Sequence, residues 1–478
     1  MPKEWTMESV NGMQWTVRAA RDWLSHRPLA FQQAVFAVAH RLLSANTPPH
    51  ARVLIGGSES PRDFTLLLLG TLYAGLEPVL MSADASTRAR LRDAYDMALL
   101  SEQESTDGLG DTLLVAVTLP AEEKMLDGAP TPTAEELIHF WAAHSLSDTT
   151  PLWLYTSGSS GTPKAISKTL AQMDAEARSV VAHFAESLAT DLKATEALRS
   201  ATVYSTVDPH HQYGLTFAVW FPMALGLQLS TDRIRYEEML TSVSPWILIT
   251  TPTFMRTLRL PFKERGVVDP LWAMSAGGKL SDEDYACWRT VSSSPIEEIY
   301  GSTECGIMAH RRHTGDDMVG PWTLAQGVSL TILEDTPWLT SAHASDAIRD
   351  ANGRIRLDDK LQCLSERTFI LLGRADRVAK VGEKRLSLTD IENVIARELG
   401  LTVKALVVQR PARDVIGVVV NRALSPDYDA TQHREYRNRL VHHLEPLALP
   451  RYWRSVDTWP VNAQGKVEMP RLEELFHA

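Results

Sequence analysis

The stretch "LYTSGSSGTPK", residues 154–164, is too polar for a core strand and too particular for a linker. Apolar residues lead into Gly158 and Gly161, a run of serine and threonine hydroxyls, and Lys164. Glycine adopts positive φ freely and lets the main chain approach a ligand, so the N–H groups of such a turn can converge on an anion. The stretch therefore predicts a phosphate cradle, with an ordinary polar turn as the alternative.

Two familiar nucleotide motifs do not fit this chain. A Walker A loop needs glycine, lysine and a hydroxyl residue in direct succession, whereas Lys164 lies between Pro163 and Ala165. A redox-type dinucleotide binder is also excluded, because no G-x-G-x-x-G opens a helix after the first strand.

Helical and strand patterns alternate on both sides of the glycine-rich stretch. An amphipathic helix at residues 27–45 precedes a short apolar strand at 52–57, and the same order recurs over 61–81. This alternation is typical of a doubly wound parallel sheet. Further short apolar strands are predicted at residues 111–119, 151–155, 201–207, 245–251 and 271–278.

The sequence pattern changes after Gly373, where a charged stretch with short predicted strands replaces the alternating helices and strands. Helices at 389–400 and 435–444 flank a strand pair at 404–409 and 414–420, which predicts an α+β module. We therefore expect an α/β protein with a large N-terminal domain of several subdomains, residues 1–373, and a small mobile C-terminal domain, residues 374–478.

Composition excludes several classes of protein. Hydrophobic residues make up 44% of the 478 residues, and the net charge of −11 disfavours nucleic acid as a partner. The three cysteines are widely spaced and form neither a disulfide framework nor a metal pair. The sequence has no secretory signal and no apolar run long enough to span a membrane, so we expect a soluble, cytoplasmic protein.

Several segments together resemble the ANL superfamily of adenylate-forming enzymes, which includes acyl- and aryl-CoA synthetases, adenylation domains of peptide synthetases and luciferases. Residues 154–164 are similar to its phosphate loop. The other similar segments occur in the family's order: "LLLLGTLYAGLEPVLM" (66–81), "HHQYGLTF" (210–217), "SAGGKLS" (275–281), "YGSTE" (300–304), "GRADR" (373–377) and "PVNAQGKV" (460–467).

The resemblance implies that a carboxylic acid and ATP give an acyl adenylate and pyrophosphate, and that a thiol then attacks the adenylate. It places Mg²⁺ on Glu304, the α-phosphate on Thr303, and adenine beside Tyr300. The residues it assigns to the nucleotide are Thr156, Ser157, Gly158, Ser159, Ser160, Gly161, Thr162, Lys164, Gly277, Gly278, Tyr300, Gly301, Ser302, Asp359 and Arg374.

The resemblance also implies roles in the C-terminal segments. Lys466 is the expected catalytic lysine of adenylation, and Asp376 is the expected hinge. Asp359 is preferred over Asp358 for the ribose because it lies fifteen residues before Arg374, although the family's usual T-G-D is absent here.

The acid and the thiol are less well defined. Tyr213 stands where amino-acid-activating relatives have an aspartate, which disfavours an amino acid, and His211 is a further catalytic candidate. An aryl or fatty acid fits better, in a pocket that includes Tyr213, Gly214, Phe217 and Trp246, although core packing would also explain these side chains.

The position where CoA-using relatives carry a glycine is Glu383, which favours an acyl carrier protein as the acceptor over free CoA. A non-catalytic AMP or ATP sensor is the alternative of another class. The combination of Lys164, Glu304 and Lys466 disfavours it, because binding of AMP alone does not require all three charges.

Overall fold

The protein is described by a computed structural model. It describes residues 4–8, 14–45, 47–57, 59–81, 85–101, 104–117, 132–156, 164–188, 197–198, 200–313, 320–334, 336–374, 377–381, 384–410, 414–461 and 467–477.

The first large sheet has six strands, and the strand leading into the glycine-rich stretch is one of them. Its first five strands are parallel, and the last pair is antiparallel. In spatial order the strands are Leu113–Val117, Met97–Ser101, Arg52–Ile55, Glu77–Leu80, Pro151–Thr156 and Lys164–Thr169.

The second large sheet follows the same plan. In the larger unit five parallel strands are succeeded by two antiparallel ones. Their spatial order is Gln228–Leu229, Thr202–Ser205, Trp246–Thr250, Trp272–Ser275, Ile296–Ser302, Gly306–His313 and Trp322–Leu324.

Helices cover both faces of these sheets, as the predicted alternation requires. The main core contains side chains from both sheets and from the helices Pro61–Tyr73 and Leu170–Leu188, so one apolar layer joins them. Separate cores lie on the opposite face of each sheet. The other helices of this part are Leu29–Ser44, Ala85–Arg90, Ala134–Ala143, Gln212–Gly214, Leu215–Trp220 (π-helical), Phe221–Leu225, Pro252–Met255 and Asp282–Val291.

Local sequence explains where several helices start. Ser60 accepts a hydrogen bond from Asp63 N and is followed by Pro61, which suits the first helical position. Thr133 and Glu136 form a capping box that satisfies backbone donors at the start of Ala134–Ala143.

The C-terminal part is built around a three-stranded sheet with its own core on each face. Val403–Val408 pairs antiparallel with Val415–Asn421, and Tyr452–Val456 adds in parallel. The helices of this part are Leu388–Leu399, His433–Leu440 and Met469–Glu474. Its other strand pairs are Asp359–Cys363 with Thr368–Arg374 and Val378–Val381 with Lys384–Ser387.

The chain divides into two compact units, which confirms a large part and a small C-terminal part. The larger comprises residues 1–330 and 339–355, and the smaller residues 331–338 and 356–478. This division falls before the boundary predicted at 373–377. That boundary is the expected point of rotation between the two domains, and it stays a prediction. The remaining strands are Glu4–Glu8, Gln14–Arg18, Val328–Leu333, Thr336–Ser341 and Ile355–Arg356.

In the part of the chain that the structure describes, no helix combines the length and apolar character needed to cross a membrane.

Candidate active site

A β-hairpin holds the ends of the predicted phosphate loop. Strands Pro151–Thr156 and Lys164–Thr169 pair antiparallel with Thr156 opposite Lys164, and the Lys164 side chain is exposed. The side chain of Thr156 and the loop residues Ser157, Gly158, Ser159, Ser160, Gly161 and Thr162 lie outside the described residues, so their roles stay predictions.

The Y-G-S-T-E segment forms the end of one strand and a tight turn. The register between strands Ile296–Ser302 and Gly306–His313 shifts between Tyr300 and Gly301. A Cβ atom on Gly301 would lie 2.5 Å from the carbonyl oxygen of Gly306, and Gly306 itself has φ +70°. Both positions therefore require glycine, and the turn between them presents Thr303 and Glu304 half-buried.

The ring of Tyr300 is half-buried against Trp322, with 5.5 Å between the ring centroids. Ser302 Oγ accepts a hydrogen bond of 3.1 Å from Cys305 N, which fixes the turn from inside. Stacking of Tyr300 on adenine stays a prediction.

Ser345 joins the phosphate-loop hairpin to this turn. Its N–H donates to the carbonyl oxygen of Glu304 at 2.9 Å, and its hydroxyl donates to the carbonyl oxygen of Ser167 at 2.7 Å. Ser167 belongs to the strand that begins at Lys164. Two motifs that are 140 residues apart in the sequence are therefore brought together by one serine.

A buried carboxylate, Glu176, strengthens the same junction. Lys168, completely buried on the hairpin strand, donates to Glu176 Oε2 at 2.8 Å. Glu176 Oε1 accepts from Thr216 at 3.0 Å and from the N–H of Ile307, just past the turn, also at 3.0 Å. Gln212 donates to Oε2 at 2.8 Å.

Burial alone would raise the pKa of Glu176, but the charge of Lys168 and the hydrogen bonds from Lys168 and Ile307 outweigh it and hold the pKa below its usual value. The carboxylate therefore remains charged while hydrogen-bonded to three other chain segments. Sequence reasoning missed this residue, although a signal was present. Glu176 lies in the apolar stripe of its helix beside Met173, Ala177 and Val180, where an unpaired charge would not be tolerated.

The predicted acid-pocket residues begin a helical segment that packs on the second sheet. Tyr213 donates from its hydroxyl to Met274 O at 2.9 Å, and its ring lies 5.1 Å from that of Phe217. A Cβ atom on Gly214 would collide with the carbonyl oxygen of Asp208, so only glycine allows this close approach. Met274 is in the strand that ends just before Gly277 and Gly278, so the pocket residues and this glycine turn are adjacent.

Of the two adjacent histidines, the structure fixes His210 and leaves His211 half-buried. His210 Nδ1 lies 2.7 Å from Asp208 Oδ1, and its Nε2 lies 2.6 Å from the carbonyl oxygen of Ile55. Burial lowers the pKa of His210, but the Asp208 carboxylate outweighs it and the net shift is upward. His210 therefore joins the segment 210–217 to the first sheet, and a catalytic role for His211 stays a prediction.

The structure does not bring Trp246 together with Tyr213 and Phe217. Trp246 packs with Phe262 and Trp288, and its indole N–H donates to Val268 O. Phe217 instead packs in the main core with Ile247, the next residue of the same strand. Since successive side chains of a strand point to opposite faces, Trp246 belongs to the core on the far side of the sheet.

Two of the predicted nucleotide residues lie in the smaller unit. Asp359 is half-buried, and its backbone lies opposite that of Arg374 in an antiparallel pair of strands. The side chain of Arg374, together with Asp376 and Lys466, falls outside the described residues. Their assignments stay predictions.

The described residues fit a nucleotide and a hard cation. Gly277 has φ +85°, is exposed and is followed by Gly278, where the nearest atom to an added Cβ lies 3.9 Å away, so the backbone is open to a ligand. Lys164 would supply positive charge for phosphates. Glu304 supplies a half-buried carboxylate of the kind that Mg²⁺ prefers.

Comparison with known proteins agrees with this geometry. The family model described as AMP-binding enzyme matches residues 13–336. A 4-coumarate–CoA ligase of Rhodobacter capsulatus is 27% identical over 334 residues, which cover 69% of this chain and 77% of that protein. A 4-hydroxybenzoate–CoA/benzoate–CoA ligase of Rhodopseudomonas palustris is 23% identical over 465 residues, covering 86% of this chain and 82% of that protein.

Solved structures match over nearly the whole chain. ATP-bound MatB from Rhodopseudomonas palustris superposes with a TM-score of 0.72 at 16% identity, covering 99% of this chain and 96% of that one. A benzoate CoA ligase from Burkholderia xenovorans gives 0.66 at 19% identity, covering 93% of each chain. At these identities the likeness establishes the fold alone.

Proposed function

Because the chain belongs to the family of AMP-binding enzymes, within the ANL superfamily, we propose that it activates an aromatic carboxylic acid with ATP and transfers the acyl group to the thiol of CoA. In the first step an acid oxygen attacks the α-phosphorus, which releases pyrophosphate and leaves an acyl adenylate. In the second step the thiol attacks the acyl carbon, which releases AMP.

The observation that carries this proposal is the bridge made by Ser345. It ties the hairpin of the predicted phosphate loop to the turn that presents Thr303 and Glu304. A carboxylate approaching a polyanion needs cationic and hydrogen-bonding groups that are already in place, and this junction supports such a site. Mg²⁺, with Glu304 as its ligand, would neutralise phosphate charge there.

The pocket side chains favour an aromatic acid over an amino acid. Tyr213 is held neutral, because burial raises the pKa of its hydroxyl, which already donates to Met274 O. No anionic group is therefore available at this position to pair with an ammonium group. The names of the relatives, which are ligases of coumarate and of benzoates, support the same class of acid.

The acceptor is proposed to be CoA because the curated relatives are named as CoA ligases. Glu383, at the place of the family's glycine, is the feature that favours a carrier protein instead. The two acceptors share a phosphopantetheine thiol and differ in what carries it.

A two-stage assay tests both parts. The chain is incubated with ATP, Mg²⁺ and single acids (benzoic, 4-hydroxybenzoic, 4-coumaric and decanoic acid, with phenylalanine as the amino acid control), and pyrophosphate release is measured. We expect pyrophosphate release with an aryl acid and none with phenylalanine. If no acid leads to pyrophosphate release, adenylate formation is contradicted. CoA or a phosphopantetheinylated carrier protein is then added with the active acid, and thioester formed only on the carrier would overturn the CoA assignment.

A further inference from the structure

Two histidines and a glutamate that the proposed reaction does not use meet inside the larger unit. His183 lies on helix Leu170–Leu188, Glu297 near the start of strand Ile296–Ser302, and His310 in the neighbouring strand Gly306–His313. Their exposed fractions are 9%, 0% and 8%. His183 Nε2 lies 2.8 Å and His310 Nδ1 lies 3.1 Å from the same carboxylate oxygen, Glu297 Oε1.

The strand register explains why these side chains converge. Glu297 is opposite Arg312, and Ile299 is opposite His310, so all four side chains project from one face of the sheet. The helix packs on that face, where Phe184 contacts Trp272 with 4.1 Å between ring centroids. His183, next to Phe184 in the helix, is thereby directed at the carboxylate.

The arrangement is one of metal-ligand types at metal-ligand spacing. One nitrogen from each histidine and one oxygen of Glu297 all lie within 4.8 Å of one another. The two imidazole rings are in contact, with centroids 3.4 Å apart, so two protonated rings would repel each other. Two imidazoles and a carboxylate are a common three-ligand set for zinc in proteins.

We propose that His183, Glu297 and His310 form a binding site for a divalent transition-metal ion of the zinc class, which ties the helix to the two strands. The ligand atoms are His183 Nε2, Glu297 Oε1 and His310 Nδ1. Arg312 Nε lies 3.3 Å from the other oxygen, Glu297 Oε2, and would keep the carboxylate oriented. Each imidazole proton that points to Glu297 Oε1 moves to the other ring nitrogen or to solvent when the metal binds.

This site differs in chemistry from the Mg²⁺ position proposed at Glu304. Magnesium prefers oxygen ligands and retains water, whereas imidazole nitrogen selects zinc, copper, nickel or iron. Excess Mg²⁺ is therefore expected to leave the histidine site unaffected.

Variants that keep the hydrogen bonds but remove the imidazoles separate a metal site from a hydrogen-bonded cluster. In His183→Gln the amide takes the place of Nε2, and in His310→Asn it takes the place of Nδ1, so each can still donate to Glu297. Neither amide is a good ligand for zinc. His139→Gln is the matched control, because His139 is an exposed histidine on helix Ala134–Ala143.

The experiment uses the full chain, stripped with a chelator, loaded with Zn²⁺ and passed through a desalting column in buffer containing Mg²⁺. We expect about one zinc ion per chain for the wild type and His139→Gln, and a loss of at least tenfold in affinity for His183→Gln and His310→Asn. Zinc should also raise the melting temperature of the wild type by a few degrees and leave that of the two ligand variants unchanged.

Co²⁺ provides an independent readout, since a tetrahedral nitrogen and oxygen site gives intense visible absorption that the ligand variants should lack. Wild-type chains that retain no zinc and show no thermal shift would overturn the proposal. Equal zinc retention by the wild type and the two ligand variants would overturn it as well. Both measurements on the wild type are independent of whether a variant folds.

Discussion

At the scale of single residues, buried charge organises the larger unit. Lys168 and Glu176 are almost completely buried, and two further segments, at Gln212 and Ile307, donate hydrogen bonds to the carboxylate of their ion pair. Removing one partner of such a pair leaves an uncompensated charge in the interior, which costs about 3 to 5 kcal/mol. Replacing both partners by neutral side chains of similar size costs much less.

Glu176→Gln should therefore lower the free energy of unfolding by about 3 to 5 kcal/mol, measured by urea denaturation. The control is the double variant Lys168→Met with Glu176→Gln, in which no charge is left unpaired. It should recover more than half of the lost stability. A double variant that is less stable than the single one would show that the hydrogen bonds of Glu176, and not its charge pairing, dominate.

Asp174 is a second buried carboxyl, and it makes stability depend on pH. It accepts hydrogen bonds from Ala20 N at 3.1 Å and from the indole N–H of Trp220 at 3.0 Å, and burial raises its pKa to about 7. An unfolded aspartate has a pKa of about 3.9, so between these values the folded chain binds more protons than the unfolded chain. Its contribution to stability is complete below about pH 4 and declines as the pH rises to about 7.

Comparison of the wild type with Asp174→Asn isolates this effect. The difference in free energy of unfolding, wild type minus variant, should decrease from pH 4.5 to pH 7.5, because only the wild type loses the bound proton on that path. Urea denaturation at several pH values measures it. A difference that is constant, or that increases with pH, would contradict the raised pKa.

The resemblance implies that Lys466 bridges the reacting carboxylate and the α-phosphate, where negative charge builds up during adenylation. Lys466→Ala should lower the rate of ATP/pyrophosphate exchange by on the order of 10² to 10³, as expected for loss of one preorganised charge-stabilising donor. Lys263→Ala, at another lysine of the chain, is the control and should retain the rate. Exchange at the wild-type rate in Lys466→Ala would refute the assignment.

At the scale of elements, the turn after Y-G-S-T-E is defined by steric limits. Gly306 has φ +70°, and an added Cβ would lie 2.7 Å from Glu176 Oε2. Any other residue there would have to adopt an unfavourable backbone conformation. Its side chain would also displace the carboxylate that accepts hydrogen bonds from Lys168 and from the N–H of Ile307. The geometry of the turn and the buried ion pair are therefore coupled.

Gly306→Ala and Gly327→Ala together separate these two effects. Gly327 has φ +76° but nothing within 4 Å of an added Cβ, so its substitution costs only the backbone strain, about 1 kcal/mol. Gly306→Ala should cost about 1 to 3 kcal/mol more by urea denaturation, and it alone should slow pyrophosphate release. Equal losses in the two variants would show that Glu176 does not limit the turn.

The elements themselves were predictable where their pattern is local. The helix predicted at 27–45 occurs at Leu29–Ser44, and the strand predicted at 245–251 occurs at Trp246–Thr250. The orientation of Trp246 was not predictable, because all five residues of that strand are buried and the first four are apolar. Such a strand gives no alternation that would show which core each side chain enters.

At the scale of the whole molecule, the sequence predicted the two-part fold, because helix and strand alternation and its end near residue 373 are visible in the chain itself. It could not predict which buried charges would meet. Glu176 with Ile307, and His183 with His310, depend on distant segments brought together by the second sheet. The assignment of residues to ATP rests on motif resemblance and stays a prediction; the structure shows that two of those motifs adjoin at Ser345.

The family resemblance implies that the small C-terminal domain rotates about the hinge between adenylation and thioester formation. Asp376 is the expected hinge, and proline fixes φ near −65° and removes an N–H, which opposes backbone rotation. Asp376→Pro should therefore retain ATP/pyrophosphate exchange within a few fold and lose most thioester formation.

Asp376→Gly is the matched control for this prediction, because it removes the same carboxylate and keeps the backbone free to rotate. It should perform both steps. Pyrophosphate release and thioester formation are measured on the same preparations, with circular dichroism to confirm that each variant is folded. If Asp376→Pro loses both half-reactions equally, or if Asp376→Gly fails in the second step alone, rotation at this residue does not separate the two steps.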